Sequence, residues 1–129
     1  MRIFATKSFG RFSRRERIDD FRLCEAIGRA ERGLIDADLG AGLIKQRVAR
    51  EGRGCSGGFR VLIVYRPRVR AVFLYGFAKS ERSNVDADEF ARSRRAAGEM
   101  LSWNDSQIGQ LLAAGEWTEI ECHAEEGQA

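Results

Sequence analysis

Residues 59–77 read FRVLIVYRPRVRAVFLYGF, and this stretch decides the fold. Val61, Leu62, Ile63 and Val64 follow one another without a polar break, the composition of a strand buried on both faces. Arg66-Pro67-Arg68 then interrupts the run. Proline fixes φ and removes a ladder donor, which suits a turn and not a central strand. Val69–Phe77 returns apolar. Two apolar runs joined by a tight turn predict an antiparallel pair, Phe59–Tyr65 with Val69–Phe77, at the centre of a sheet.

Outward from this pair the periodicity changes twice. Upstream, Leu43, Lys45, Arg47 and Ala49 alternate with Ile44, Gln46 and Val48, so Gly42–Ala49 reads as a strand with Lys45 and Arg47 on one side. Leu34–Leu39 reads as extended too. Arg50–Gly58, rich in glycine and arginine, reads as a loop. Further upstream, Ile18, Phe21, Cys24, Ile27 and Ala30, with Leu23 beside them, predict an amphipathic helix over Arg17–Arg32, closed by Gly33. Ser8–Arg15 reads as a short helical turn and Arg2–Thr6 as an opening strand. Downstream, Asp86 and Glu89 have capping-box spacing, which starts a helix within Ser83–Leu101. Val85, Phe90, Ala97, Met100 and Leu101 are its expected buried residues. Ile108, Leu111 and Leu112 predict a second, shorter helix, restarted near Ser102 or Asn104 and ended by Gly115. Trp117–Cys122 alternates as an edge-like strand, and His123–Ala129 reads as a polar tail. No repeat or linker divides the chain, so residues 1–129 are expected to form a single domain.

The chain has 129 residues, enough for one core. A signal peptide is not expected, because Lys7 interrupts the apolar residues after Arg2. No apolar run approaches the length of a membrane span. A soluble, cytoplasmic protein without a membrane association is therefore expected. Cys24, Cys55 and Cys122 are scattered and odd in number, which argues against a disulfide framework and against a zinc site. No cofactor is called for.

Charge is distributed unevenly. The formal net charge is +3, yet residues 41–82 carry +8 and residues 83–129 carry −7. The basic block holds Lys45, Arg47, Arg50, Arg53, Arg60, Arg66, Arg68, Arg70, Lys79 and Arg82. Arginine concentrated in this way suits a phosphate backbone, RNA first; the alternative is a solvated face balanced by the acidic C-terminal third. These residues lie on strands and their loops, which is poor for a helix inserted into a DNA groove and better for a sheet holding an RNA strand. Tyr65 and Tyr75 are candidate base-stacking residues, with ordinary sheet packing as the competing role. His123 lies in the tail, far along the chain from the block. Glu81 is either an orienting or an ordinary ion-pair residue between Lys79 and Arg82. Trp103 and Trp117 read as core or interface anchors.

Three segments together carry a family resemblance: GLIKQRVAR at 42–50, SGGFRVLIVY at 56–65 and YGFAKSERSN at 75–84. They resemble the RelE/ParE superfamily of toxins from bacterial type II toxin–antitoxin modules, and most closely its HigB-like branch. The resemblance covers residues 40–100 and, on the flanks, the order of elements. It implies an α+β fold, a small mostly antiparallel sheet with N-terminal helices packed on one face and C-terminal helices. It further implies a cognate antitoxin, of helix-turn-helix type, and ribosome-dependent cleavage of messenger RNA. The catalytic positions it implies are Lys45, Arg47, Arg60, Lys79 and Arg82, with Arg50, Arg53, Tyr65 and Tyr75 as RNA contacts. Ser80 stands where RelE itself has an arginine, and Asp86 near its functional tyrosine.

Metal-independent RNA cleavage needs a base for the 2′-OH, cationic donors for the phosphate and a proton for the 5′-oxygen. Arginine stays charged and acts as a clamp. This assigns the clamp to Arg60 and charge support to Arg47 and Arg82. Lys45 is a candidate base or second clamp, with simple RNA positioning as its competing role, and Lys79 is a further candidate. Two other readings stand beside the nuclease: a ParE-like inhibitor of gyrase, and a non-catalytic RNA- or ribosome-binding module.

Overall fold

The computed structural model describes residues 1–50, 54–81 and 84–122, with residues 54–56 described by their backbone alone. The described strands are β1 (Arg2–Thr6), β2 (Ala37–Gly40), β3 (Leu43–Arg50), β4 (Gly54–Arg66), β5 (Arg70–Ala78) and β6 (Trp117–Ile120). The helices are α1 (Lys7–Arg15), α2 (Asp20–Glu31), α3 (Ala87–Met100) and α4 (Asp105–Ala113). The strands form one sheet in the order β2-β3-β4-β5-β1-β6. The expected central hairpin is β4–β5, and β6 is an edge as expected. Only the β1–β5 pairing is parallel; β1 enters between β5 and β6, a placement that local pattern cannot reveal. The fold is α+β, as the resemblance implied.

Side chains opposite one another in an antiparallel ladder share a face. The register Ile44↔Ile63, Gln46↔Val61 and Val48↔Phe59 defines one face. There α1 and α2 bury Phe9, Phe12, Leu23, Ala26 and Ile27 against Val61, Ile63 and Phe73. The register Leu43↔Val64, Lys45↔Leu62 and Arg47↔Arg60 defines the other. There α3 and α4 bury Ala97, Met100 and Ile108 against Phe4, Leu43, Leu62, Val64 and Val72. Helix pairs thus sandwich the sheet, N-terminal on one side and C-terminal on the other.

The helix ends follow the sequence signals closely. Asp86 and Glu89 form a reciprocal capping box, and so do Asn104 and Gln107. Gly33, at φ +83°, closes α2, and Leu34 N–H returns to the Arg29 carbonyl. Arg17 has the same role after α1 at φ +58°, with Ile18 N–H donating to the Ser13 carbonyl. That left-handed residue explains why α2 starts at Asp20, capped by Asp19, and not at Arg17.

Four expectations are corrected. Phe21 is 58% exposed, because a strict spacing of three drifts off one face of a helix with 3.6 residues per turn. The buried set is Leu23, Ala26, Ile27 and Ala30, which keeps the helical period. Phe90, Val85 and Leu101 are only partly buried, leaving Ala97 and Met100 as the buried anchors of α3. The segment read as a loop over residues 50–58 is strand from Gly54, since Arg50 pairs with Gly54 across a bulge. Finally, Cys24 and Cys122 form a disulfide, 98 residues apart in sequence. Scattered spacing carries no information about which elements the fold makes neighbours. The tail at 123–129, with His123, Glu125 and Glu126, lies outside the described residues.

Candidate functional site

The face under α3 and α4 is apolar at one end and cationic at the other. Three cross-strand rows make the change. Leu43, Val64 and Val72 form the first, Lys45, Leu62 and Tyr75 the second, and Arg47, Arg60 and Phe77 the third. The first row is core. The second meets the first turn of α3, and the third lies beyond it. Lys45, Arg47 and Arg60 therefore stand on one face within neighbouring positions, as the alternation of β3 required.

Each of these side chains is held differently. Arg60 is only 9% exposed, and its Nη1 donates to the Phe59 carbonyl at 3.3 Å. Lys45 is half-buried, with Nζ 3.5 Å from Asn84 Oδ1 just ahead of α3. Arg47 has a half-exposed side chain, and its Nε lies 3.6 Å from Asp36 Oδ1. Tyr75 is half-buried and its hydroxyl donates to Glu89 Oε2. The other oxygen of Glu89 accepts the Asp86 N–H, so the α3 capping box also orients Tyr75. A row of two guanidiniums beside an ammonium and a phenol is a surface for a phosphodiester. Multiple cationic donors spread the extra charge of a phosphorane, and the ring offers a stacking partner for a base.

The rest of the basic block is dispersed. Arg50 lies with its guanidinium 5.4 Å from the centre of the Phe59 ring, on the α1/α2 side. Tyr65 is buried in the core of that same side, where burial and then Glu31 raise its pKa above the ordinary 10.0. Neither joins the row of Lys45 and Arg47. Arg66 and Arg68 sit at the β4–β5 turn, about 20 Å along β4 from Arg60 at ~3.3 Å per residue. Arg70 is 7% exposed and donates to the Met100 and Trp103 carbonyls, closing the C-terminal end of α3 from outside. Lys79 is exposed one residue past β5, its N–H bonded to the Gly58 carbonyl. Arg53 and Arg82 lie outside the described residues. The charge block is thus divided: Arg70 caps α3, while Lys45, Arg47 and Arg60 gather on one face of the sheet.

Sequence pattern gave no notice of Asp36, Asn84 or the contact of Glu89 with Tyr75. Their roles depend on elements distant in sequence. Trp103 and Trp117, expected as anchors, do pack together, with ring centres 5.6 Å apart.

Compared with known families, residues 1–120 match the family described as RelE toxin of RelE / RelB toxin-antitoxin system. No curated protein matches the chain.

Proposed function

This chain belongs to the RelE toxin family and is a toxin of a toxin–antitoxin system; from that premise we propose that it is a metal-independent endoribonuclease that cleaves messenger RNA on the ribosome. Its partner is a cognate antitoxin, of helix-turn-helix type, that neutralises it. The observation that carries the reading is the cross-strand pair Arg47↔Arg60 with Lys45 two residues along the same face.

In this reading the RNA backbone lies across β3 and β4 beyond the first turn of α3. The 2′-oxygen attacks the adjacent phosphorus, the bond from phosphorus to the 5′-oxygen breaks, the leaving 5′-oxygen takes a proton from water, and a 2′,3′-cyclic phosphate and a 5′-hydroxyl result. Arg60 clamps the scissile phosphate, and Arg47 shares the developing charge. Lys45 contacts the 2′-oxygen and, in its neutral amine form, receives its proton, or as the ammonium holds the neighbouring phosphate. Tyr75 stacks on a base beside the scissile bond. Lys79, exposed just past β5, extends the cationic track. Arg50 and Tyr65 have no part in it.

The test is cleavage of a defined message by purified protein on translating ribosomes, with new 5′ ends mapped by primer extension. Arg60→Ala should remain folded and lose about 10²- to 10³-fold in rate, as for other donors to a developing oxyanion. A folded Arg60→Ala protein with full activity removes Arg60 from the site. Wild-type protein that is folded, free of antitoxin and cleaves nothing sinks the nuclease reading, and gyrase inhibition is then measured next.

A further inference from the structure

The outer edge of β3 is covered in an unusual way at Arg47. The ladder of β2 with β3 reaches only Ala37↔Lys45. Two residues on, the backbone N–H and C=O of Arg47 face away from β4 with no strand to meet them. A bare strand edge normally needs a cover. Here side chains supply it from two directions. Asp36 Oδ2 accepts the Arg47 N–H at 2.7 Å. The Arg29 guanidinium, reaching out from α2, donates through Nη2 to the Arg47 carbonyl.

The two clamping residues are themselves fixed. Arg29 Nη1 lies 3.7 Å from Asp36 Oδ2, and its Nε donates to Glu25 Oε2 at 2.8 Å. The Arg29 side chain is only 16% exposed. Asp36 N–H donates to Gln46 Oε1 at 2.8 Å. Gln46 is fully buried, and its Nε2 donates to the Ala26 carbonyl at 3.0 Å and the Leu34 carbonyl at 3.2 Å. The end of α2, the segment before β2 and the middle of β3 are thereby joined into one hydrogen-bonded unit around a single residue. The same Asp36 carboxylate also faces the Arg47 side chain, 3.6 Å from Nε.

We propose that Asp36 and Arg29 are positioning residues for Arg47. They pin its backbone at both polar groups, and Asp36 fixes its guanidinium at the outer edge of the row it shares with Arg60. The inference rests on the reading of Arg47 as an RNA-phosphate contact. Position matters steeply here, since a displacement of about 1 Å at a reacting group can cost ~10²-fold in rate. Asp36→Asn keeps an oxygen that can accept the Arg47 N–H and loses the charge that faces the guanidinium. It therefore separates the two parts of the clamp.

The experiment is a double-mutant cycle in the ribosomal cleavage assay, with kcat and KM determined for wild type, Asp36→Ala, Arg47→Ala and the double variant. Circular dichroism confirms the fold of each. Asp36→Ala is expected to lose about 10- to 100-fold, mainly in kcat. Asp36→Asn is expected to recover part of that loss. In the Arg47→Ala background, Asp36→Ala should cost less than about twofold further, because coupled residues are not additive. Independent, multiplicative losses overturn the positioning role while leaving Arg47 in the site. If Asp36→Ala does not fold, Asp36→Asn carries the same cycle with the same criterion. An Arg47→Ala protein as active as wild type overturns the reading of Arg47 itself, and the positioning role falls with it. Absence of cleavage by wild type overturns both together with the nuclease assignment.

Discussion

Gly76 lies in the middle of β5 directly beneath the ring of Phe12. A β-carbon built there comes within 2.4 Å of Phe12 Cε2 and 2.8 Å of Cδ2. Phe12 cannot easily yield, since it is 8% exposed and meets Phe9 and Phe59 with ring centres 5.7 Å away in each case. Two effects oppose each other in Gly76→Ala. Alanine is favoured over glycine in a strand by roughly 0.5–1 kcal/mol. Overpacking a filled core costs about 1–3 kcal/mol. The second wins, so urea denaturation should show a destabilised protein, and equal midpoints would refute the close approach. Tyr65 gives a residue-scale prediction in pH. Burial, with a smaller contribution from Glu31, holds its folded pKa above the ordinary 10.0. The folded state then keeps a proton that the unfolded chain releases. Stability from this group is complete below pH 10 and declines as pH rises toward the folded pKa. Tyr65→Phe should flatten the alkaline part of a stability profile, and an unchanged slope between wild type and variant would count against a buried phenol. Single residues were legible in the sequence where chemistry and alternation both spoke. Lys45 and Arg47 were expected on one face from their spacing of two and lie there, while Arg60 joins that face through the register Arg47↔Arg60, which no local spacing states. Arg50 was read as the start of a loop, and it ends β3 on the side of Ile44, Gln46 and Val48. Arg70 was taken for surface charge, although its target, the end of α3, is 30 residues away in sequence.

Elements were readable from local signals, and their neighbours were not. A capping box announced α3, the spacing of Ile108, Leu111 and Leu112 announced α4, and Gly33 and Gly115, both at positive φ, announced the ends of α2 and α4. The apolar run and its proline turn announced β4 and β5. Nothing local stated that β1 would lie parallel to β5, or that four-residue β6 would dock on the far side of β1. That outer pairing is fastened by charge as well as by its ladder. Arg2 Nε and Nη2 donate to Glu119 Oε2 and Oε1, both at 2.9 Å. The hydrogen bond to Arg2, and then its charge, lower the Glu119 pKa from the ordinary 4.5, while burial opposes them. A depressed carboxylate contributes stability that is present above its unfolded pKa and is lost as pH falls through its folded value. The side chains are 47% and 29% exposed, so solvent screening keeps the contribution near 0.5–1 kcal/mol. Glu119→Gln should therefore lower stability by about that amount at pH 7, with the gap to wild type closing as pH drops below 4.5. A gap that persists unchanged in acid would mean that shape, not charge, makes the contact.

At the scale of the whole molecule, the Cys24–Cys122 bridge links α2, early in the chain, to the residue pair following β6. It spans 98 residues and so encloses most of α2, both C-terminal helices and every described strand but β1. Chain-entropy arguments give a loop of this length up to about 4.7 kcal/mol, and native bridges commonly deliver 2–4. The remainder of the fold has its own means of standing. Two apolar clusters, one on each face of the sheet, hold the layers together, and Cys24 packs, partly buried, against the one under α1 and α2. Reduction should thus loosen the molecule without unfolding it. The Cys24→Ser, Cys122→Ser double variant, or wild type in excess dithiothreitol, is expected to melt about 6–20 °C lower, at ~3–5 °C per kcal/mol for a domain of this size. Far-UV circular dichroism at 25 °C should be unchanged. Hydrogen exchange should rise first in β6 and at the start of α2, the two segments the bridge joins. Identical melting with and without reductant would mean that the two cysteines do not pair in solution. Collapse of the secondary structure on reduction would mean that the two-layer core is insufficient alone. In a reducing compartment such bridges are seldom kept, so the reduced form is the one whose ribosomal cleavage should be compared with the oxidised. The side chains of Lys45, Arg47 and Arg60 lie on the face away from α2, and the Arg29 contact to the Arg47 carbonyl comes from the last turn of α2, away from Cys24, so the rate of cleavage should be equal in both.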